Sequence, residues 1–365
     1  MTAVLLIDDS PELLESLRAR LAADLGAQAT VLTWVPVDGE QTEVTFKNYI
    51  DNNDVRLVVT DYDLTRRGQL GFFGATVVDW CQMRAIPVGD FSRGNTTSLA
   101  DEPNLFELRV PVDSEDATVS YISAVFRGFV EIRATIDARA ELLRQRSPAA
   151  ALAMMLDAKR LESQFSQYGA RYANANPGLI DALTEVASDA APPPGDLRKI
   201  ELLTYITGHL LVNAVLRFPG PIAGKKATCA YLAVGQEEYE TIRTLLQAAN
   251  YSGPFRELDD YLWVHKVDET LEGLEDHVSE NEVFQSQGTR RRRALEIALG
   301  RTLARSPACT RCHGENGGFL CPFTRRAVCE RPDCSTVSNV WIPAGARLCR
   351  FEKDFYDEWA PILGM

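Results

Sequence analysis

The chain is predicted to open with an α/β domain built on a parallel sheet, followed by a helical domain and a small cysteine-rich module. Two short apolar runs that stop on carboxylates predict the first part. A cluster of cysteines near the end predicts the last. Arg56-Leu57-Val58-Val59-Thr60 is followed by Asp61, and Val4-Leu5-Leu6-Ile7 by Asp8 and Asp9. Runs this short, with an apolar centre and rich in aliphatic and β-branched residues, are too short for helices and read as strands buried on both faces.

The remaining elements follow in order. Ser10 and Pro11 start a helix whose apolar positions are Leu13, Leu14, Leu17 and Leu21. Residues 30–37 form a second strand, and residues 46–50 lie in the next helix. The strand ending at Asp61 is the third. A turn at Thr65 to Gly68 leads into a helix over residues 73–82. A fourth strand over residues 86–91 ends on the hydroxyl of Ser92. From Ala117 the spacing of Ile122, Val125, Phe126, Phe129, Ile132 and Ile136 predicts a long helix continuing towards Arg146 and running outward as a connector.

In open α/β sheets, ligands collect beyond the carboxyl ends of the strands. Asp8, Asp9 and Asp61 would all stand there. Three crowded carboxylates repel one another, and a hard divalent cation such as Mg²⁺ relieves that repulsion.

These strand ends resemble the receiver domain of two-component response regulators, over Val4 to Arg133. The resemblance implies a flavodoxin-like, five-stranded parallel sheet. It implies that Asp8 and Asp9 hold Mg²⁺ together with Asp61 and the Asp63 main-chain carbonyl. It also implies that Asp61 accepts a phosphoryl group from a sensor kinase or small phosphodonor, and that Ser92 is the responding hydroxyl. The pattern departs at the fifth strand, Phe106-Glu107-Leu108-Arg109-Val110-Pro111, where the family carries a lysine. Aligned on Pro111 the lysine position holds Val110; aligned on Phe106 it holds Arg109. Alternation along a strand keeps both from facing one site. Arg109 can still contact a phosphoryl group; Val110 cannot.

Length and composition set limits on the rest. The 365 residues suit two or three domains, and 45% hydrophobic with 24% charged residues is an ordinary globular balance. The net charge of −13 disfavours a general nucleic-acid coat. No leader segment or membrane-length apolar run appears, so the expected location is the cytoplasm, with no membrane partner; the receiver resemblance implies a bacterial source. The domain boundaries read as residues 1–133 (receiver-like), 134–196 (helical connector and Pro-rich linker), 197–304 (helical) and 305–365 (cysteine-rich).

Within the connector, residues 148–171 read as one helix, ended near Asn176-Pro177-Gly178. In the helical domain His209 falls on a wide apolar face and reads as a core histidine. Two short helices near Gly235 invite a helix-turn-helix reading. The second carries Glu237, Glu238 and Glu240 with only Arg243, so ordinary packing is the better account. Arg290 to Arg293 form the sharpest basic run. It either contacts nucleic acid or pairs with the acidic stretch Glu269 to Glu282.

Six of the eight cysteines lie between Cys309 and Cys349. In a reducing compartment such a cluster points to metal. The close pairs Cys309/Cys312 and Cys329/Cys334 suit one tetrahedral Zn²⁺ of zinc-ribbon type, with Cys321, Cys349 and His313 as alternates and a redox-active cysteine pair as the second reading. Four thiolates leave no open position, so this zinc is expected to be structural. Cys81 and Cys229, in apolar helical surroundings, read as buried small hydrophobes.

The functional expectation is an atypical regulatory protein whose Asp61 state modulates contacts of the other domains with a protein partner, extending to a role in bacterial conflict or antiviral defence. Two alternatives stand beside it. One is a non-phosphorylated pseudo-receiver scaffold; the other is a nucleic-acid-directed effector using the arginine run and the zinc module.

Overall fold

The structure is a computed structural model describing residues 2–36, 42–61, 64, 74–91, 107–145, 147–175, 197–279, 282–284, 286–315, 317–338 and 341–363. Asp63, Ser92, the Thr65 to Gly68 turn and the Pro-rich linker lie outside them. The chain forms two compact units. The first comprises Met1–Leu99, Asn104–Met155 and Ala175–His209; the second Ala100–Pro103, Leu156–Asn174 and Leu210–Met365.

The first unit is built on β1 (Ala3–Ile7), β2 (Thr30–Trp34), β3 (Val55–Thr60), β4 (Val88–Asp90) and β5 (Leu108–Arg109). All four pairings are parallel and the spatial order is β2-β1-β3-β4-β5, the flavodoxin-like order. Side-chain alternation divides the apolar residues between two faces. Leu5, Ile7, Val58 and Val88 face α2 (Thr42–Asn52) and α3 (Gly74–Met83), and join Phe46, Ile50, Val77 and Trp80 in one cluster. Phe46 sits between Trp34 and Trp80, with ring centroids 5.2 Å from each. By alternation Val4, Leu6, Leu57 and Val59 serve the opposite face, where α1 (Pro11–Leu25) and α4 (Glu115–Ala138) pack together.

Helix α4 begins where Ser114 accepts a hydrogen bond from the Ala117 N–H. Glu115 and Asp116 in its first turn pair with Arg20 of α1 at 3.1 and 2.7 Å. The helix ends at Ala138, earlier than the apolar spacing suggests, and gives way to a short 3-10 turn over Leu142–Arg144. Ile132 and Ile136 are buried, so α4 belongs to the core of this unit up to its last turns instead of projecting from it. The expected single helix over residues 148–171 is also divided. Pro148–Met155 (α5) and Glu162–Ala175 (α6) are separated by Asp157 in the left-handed region (φ 51°) and a 3-10 turn at Lys159–Leu161. Aspartate tolerates that conformation better than most residues.

Helix α7 (Leu197–His209) lies along α4 and α5. Close approach is possible because residue 208 is glycine; a Cβ there would overlap the Phe129 ring of α4. Beside it His209 is fully buried, edge-on to Tyr205 at 4.6 Å and 5.3 Å from Phe129. It is a core histidine, as its apolar setting in the sequence suggests.

The second unit has a core of Leu232, Tyr239, Ile242, Leu246, Val267, Leu271, Leu295 and neighbours. These come from α8 (Lys225–Tyr231) and its C-terminal end, α9 (Tyr239–Leu245), α10 (Val264–Glu275) and α11 (Gln287–Leu299), with a two-stranded pair β6 (Ile222–Ala223) and β7 (Leu262–Trp263). Tyr239 and Ile242 turn the proposed recognition helix inward, so the two seven-residue helices α8 and α9 serve the core. Further on, the antiparallel pairs β8 (Phe319–Leu320) with β9 (Ala327–Val328), and β10 (Ser335–Thr336) with β11 (Phe351–Glu352), precede α12 (Lys353–Leu363). Phe323 stacks on Phe351 and Phe355 at 5.0 and 5.4 Å.

Two predictions follow from the α4–α7 contact. Gly208→Ala is expected to destabilise the protein by about 1–3 kcal/mol, because the ring beneath it must shift; a denaturant midpoint unchanged from native would contradict the packing. Burial holds the His209 imidazole down to about 3, whereas an unfolded histidine titrates near 6.5. The unfolded chain therefore binds the proton first, and stability present above that pH is lost as pH falls towards 3, at up to about 1.4 kcal/mol per unit. Between pH 7 and 5.5 the native protein should lose more stability than His209→Met; parallel curves would count against it.

Candidate metal centres

Asp8, Asp9 and Asp61 come together because β1 and β3 are adjacent and in register. Ile7 stands opposite Thr60, and the Asp61 N–H donates to the Ile7 carbonyl at 2.9 Å. The residues following both strands therefore leave the sheet side by side. Each of the three side chains offers a carboxylate oxygen within 4.8 Å of the others. Asp8 and Asp9 retain only 4% and 8% exposure. The Ser10 N–H donates to one Asp8 oxygen at 2.6 Å, which fixes the carboxylate's direction. Three anions at this spacing, two of them poorly solvated, form a fitting set for a hard divalent cation, which takes carboxylate oxygens and completes its shell with water.

Leu108 and Val110 are buried and Arg109 is exposed. Val110 packs against β4, where a Cβ on Gly89 would come within 2.9 Å of its methyl. The β4–β5 register sets Arg109 opposite Asp90.

The second centre lies in the cysteine module. The sulfurs of Cys309, Cys312, Cys329 and Cys334 all lie within 4.8 Å of one another, and Cys312 and Cys329 are 3.7 Å apart. Four thiolates around zinc at about 2.3 Å would be about 3.8 Å apart at the corners of a tetrahedron. Each cysteine pair is held by backbone turns. The Cys309 N–H donates to the Gly314 carbonyl and the His313 N–H to the Cys309 carbonyl, both at 2.9 Å; the Cys334 N–H donates to the Arg331 carbonyl at 2.8 Å. The Ser335 hydroxyl donates to the Cys329 carbonyl at 2.5 Å.

The sulfur environments differ. Burial acts to raise the Cys309 thiol, but backbone N–H groups of Cys312, Arg311 and Cys329 outweigh it and hold it down to about 7. Burial and the neighbouring sulfurs push Cys334 up to about 12. A cation among them would favour the thiolate throughout. The alternates named from sequence lie outside this four-sulfur group. Cys349 is buried, with its thiol directed to the Pro219 carbonyl at 3.6 Å, and Cys321 is buried as well. Cys81 and Cys229 are buried apolar thiols whose pKa burial raises, the latter to about 12.

Glu315, next to the cluster in sequence, is engaged elsewhere: it accepts from Thr289 and pairs with Arg292 at 3.7 Å. The basic run is likewise internally partnered. Arg290 pairs with Glu275 at 3.0 Å and Arg293 with Glu282 at 3.2 Å, both acids from the stretch identified in the sequence. Arg291 stacks on Tyr231 with its guanidinium carbon 3.8 Å from the ring centroid. Arg292, only 6% exposed, donates to the Ala233 carbonyl and lies near Glu296 and Glu315. Sequence reasoning identified two of these acids but not the roles of Tyr231, Glu296 and Glu315, since a lone tyrosine or glutamate carries no signal of what it meets.

Among the described residues no helix is long and apolar enough to cross a membrane. No family model matches the chain, and neither a curated protein nor a solved structure matches it.

The protein is expected to carry one zinc per chain. Cys329→Ser should abolish stoichiometric zinc on elemental analysis, while Cys321→Ser and Cys349→Ser keep it. Retention of zinc by Cys329→Ser, or its loss from the other two, would reassign the ligands.

Proposed function

We propose that the first unit is a Mg²⁺-dependent phosphoryl acceptor of receiver type, and that the state of Asp61 modulates how the protein engages a partner. The observation carrying this reading is the convergence of three carboxylates on the carboxyl ends of two adjacent parallel strands. Asp8, Asp9 and Asp61 would hold the cation. Bound there, Mg²⁺ would supply charge neutralisation for the transferred group. A carboxylate oxygen of Asp61 attacks phosphorus in line, a new oxygen–phosphorus bond forms, and the donor's bond to phosphorus breaks with its electron pair leaving on the donor. The product is an acyl phosphate. The Asp63 carbonyl and the Ser92 hydroxyl complete the reading from the resemblance alone.

In the second unit, the four thiolates would hold Zn²⁺ as a structural centre. Small modules with two-residue strands have little core of their own, and metal binding supplies the missing folding energy. The four guanidiniums of the arginine run have protein partners, which favours the intramolecular reading of that run over a nucleic-acid one.

One observation favours a second reading, in which the unit is a scaffold that binds Mg²⁺ without turning over phosphate. Val110 is buried in the position where one alignment requires a lysine, and Arg109 faces the exposed side in the other. The two readings separate on one experiment. Intact mass is measured after incubation with Mg²⁺ and acetyl phosphate, for the native chain and for Asp61→Asn. The acceptor reading expects a phosphate-sized gain in the native protein alone. No gain in folded, Mg²⁺-binding protein leaves the scaffold; no Mg²⁺ binding removes both.

A further inference from the structure

The four sulfurs come from two turns of the cysteine module, and a single buried side chain reaches from one turn to the other. Around the second pair the hub is Ser335, 1% exposed. Its hydroxyl donates to the Cys329 carbonyl at 2.5 Å and accepts from the Arg350 Nε at 2.7 Å. On the neighbouring strand Glu352 stands opposite Ser335, and the Lys353 N–H donates to the Cys334 carbonyl at 2.9 Å. The end of β11 is therefore tied to the turn that carries Cys329 and Cys334.

From β11 the Glu352 side chain reaches the first pair. One of its carboxylate oxygens accepts from the hydroxyl of Thr310, the residue after Cys309, at 2.8 Å, and from Arg326 at 3.3 Å. The side chain is only 6% exposed, and its other oxygen is buried with no hydrogen-bond partner. A buried carboxylate satisfied on one oxygen recovers little of its desolvation cost, so it is a poor source of fold stability. What it supplies is position. It fixes Thr310, and with it the turn carrying Cys309 and Cys312, against the strand that secures Cys329 and Cys334. A second link between the same segments, Arg311 to Asp354 at 2.9 Å, is exposed at both ends, where solvent and salt weaken an ion pair.

We infer that Glu352 is a positioning residue of the metal centre, acting through Thr310 to hold the first cysteine pair where the second can share a cation with it. The inference rests on the reading of the four sulfurs as a zinc site. Groups behind the ligands orient them, and losing one typically costs about ten- to a hundredfold in metal affinity. The thiolates themselves set the coordination. Removing the support therefore changes how tightly zinc is held and leaves its ligands the same.

Zinc affinity is measured on the full chain by competition with a chromogenic chelator. Cobalt(II) is titrated in parallel, its visible absorption reporting the ligand geometry. Thr310→Val, which replaces the hydroxyl with a methyl at an exposed position, and Glu352→Gln should each weaken zinc about tenfold or more. Both should keep the absorption of a tetrahedral four-sulfur site at saturating cobalt, and Thr310→Ser should restore native affinity. The double variant should be little weaker than the worse single one, because both break the same link. Arg311→Met, which breaks the exposed pair, should stay within about twofold of native. Equal zinc affinity in the native chain, Thr310→Val and Glu352→Gln overturns the inference. So does equal weakening by Arg311→Met, which traces the effect to a general loosening of the module. A folded native chain that binds no zinc overturns the metal centre first, and the role of Glu352 with it.

Discussion

The pairing of β1 with β3 is the constraint on which the first unit depends. The two strands occupy the middle of the sheet and bury apolar residues on both faces, so a slip of one residue would move every side chain to the wrong layer. The same register that satisfies Phe46 and Trp80 on one face and α4 on the other brings Asp8 and Asp9 beside Asp61. Carboxylates that repel one another are thus held together by burial elsewhere in the strands. The electrostatic cost is local, while the hydrophobic gain is distributed over the whole sheet.

The second unit solves a different problem. Its helices α8 to α11 share a conventional apolar core, and the arginines of α11 tie that core to surrounding carboxylates and to Tyr231. Arg292 belongs to the fold as fully as a leucine does. Buried among Glu296, Glu315 and the Ala233 carbonyl, it would leave uncompensated acids if removed. Beyond α11 the described residues form two-residue strands, an aromatic stack on Phe323 and the helix α12. There backbone turns gather the four sulfurs within 4.8 Å of one another, and Leu320 and Leu348 join the apolar core of the unit.

What was legible in the sequence was local. The buried strands, the acids at their ends and the two close cysteine pairs are each contained within ten residues, and the structure places them as the sequence suggests. The helices were legible in kind but less so in extent: α4 stops at Ala138, and α5 is cut from α6 by Asp157, because an apolar period does not register a single left-handed residue. The contact of α7 with α4 joins Gly208 to Phe129 across some eighty positions, and nothing in either segment names the other. A cavity at the amino ends of β1, β3 and β4, lined by Arg56, Arg84, Arg133 and Thr204, is further still from being readable, since these residues come from β3, the turn after α3, α4 and α7 and meet only once the unit has folded.

Cation binding and phosphoryl transfer place different demands on the first unit. Binding a divalent ion needs converging oxygen ligands, and Asp8, Asp9 and Asp61 bring three carboxylate oxygens within 4.8 Å of one another. Transfer also needs positive charge placed against the equatorial oxygens of the moving group. The fifth strand is where such charge would enter from the side, and its alternation buries Val110 while exposing Arg109. On the proposed reading, a change at this strand would bear on transfer more than on cation binding. A chain of this kind can keep the metal while losing the reaction, and the two properties have to be measured separately for that reason.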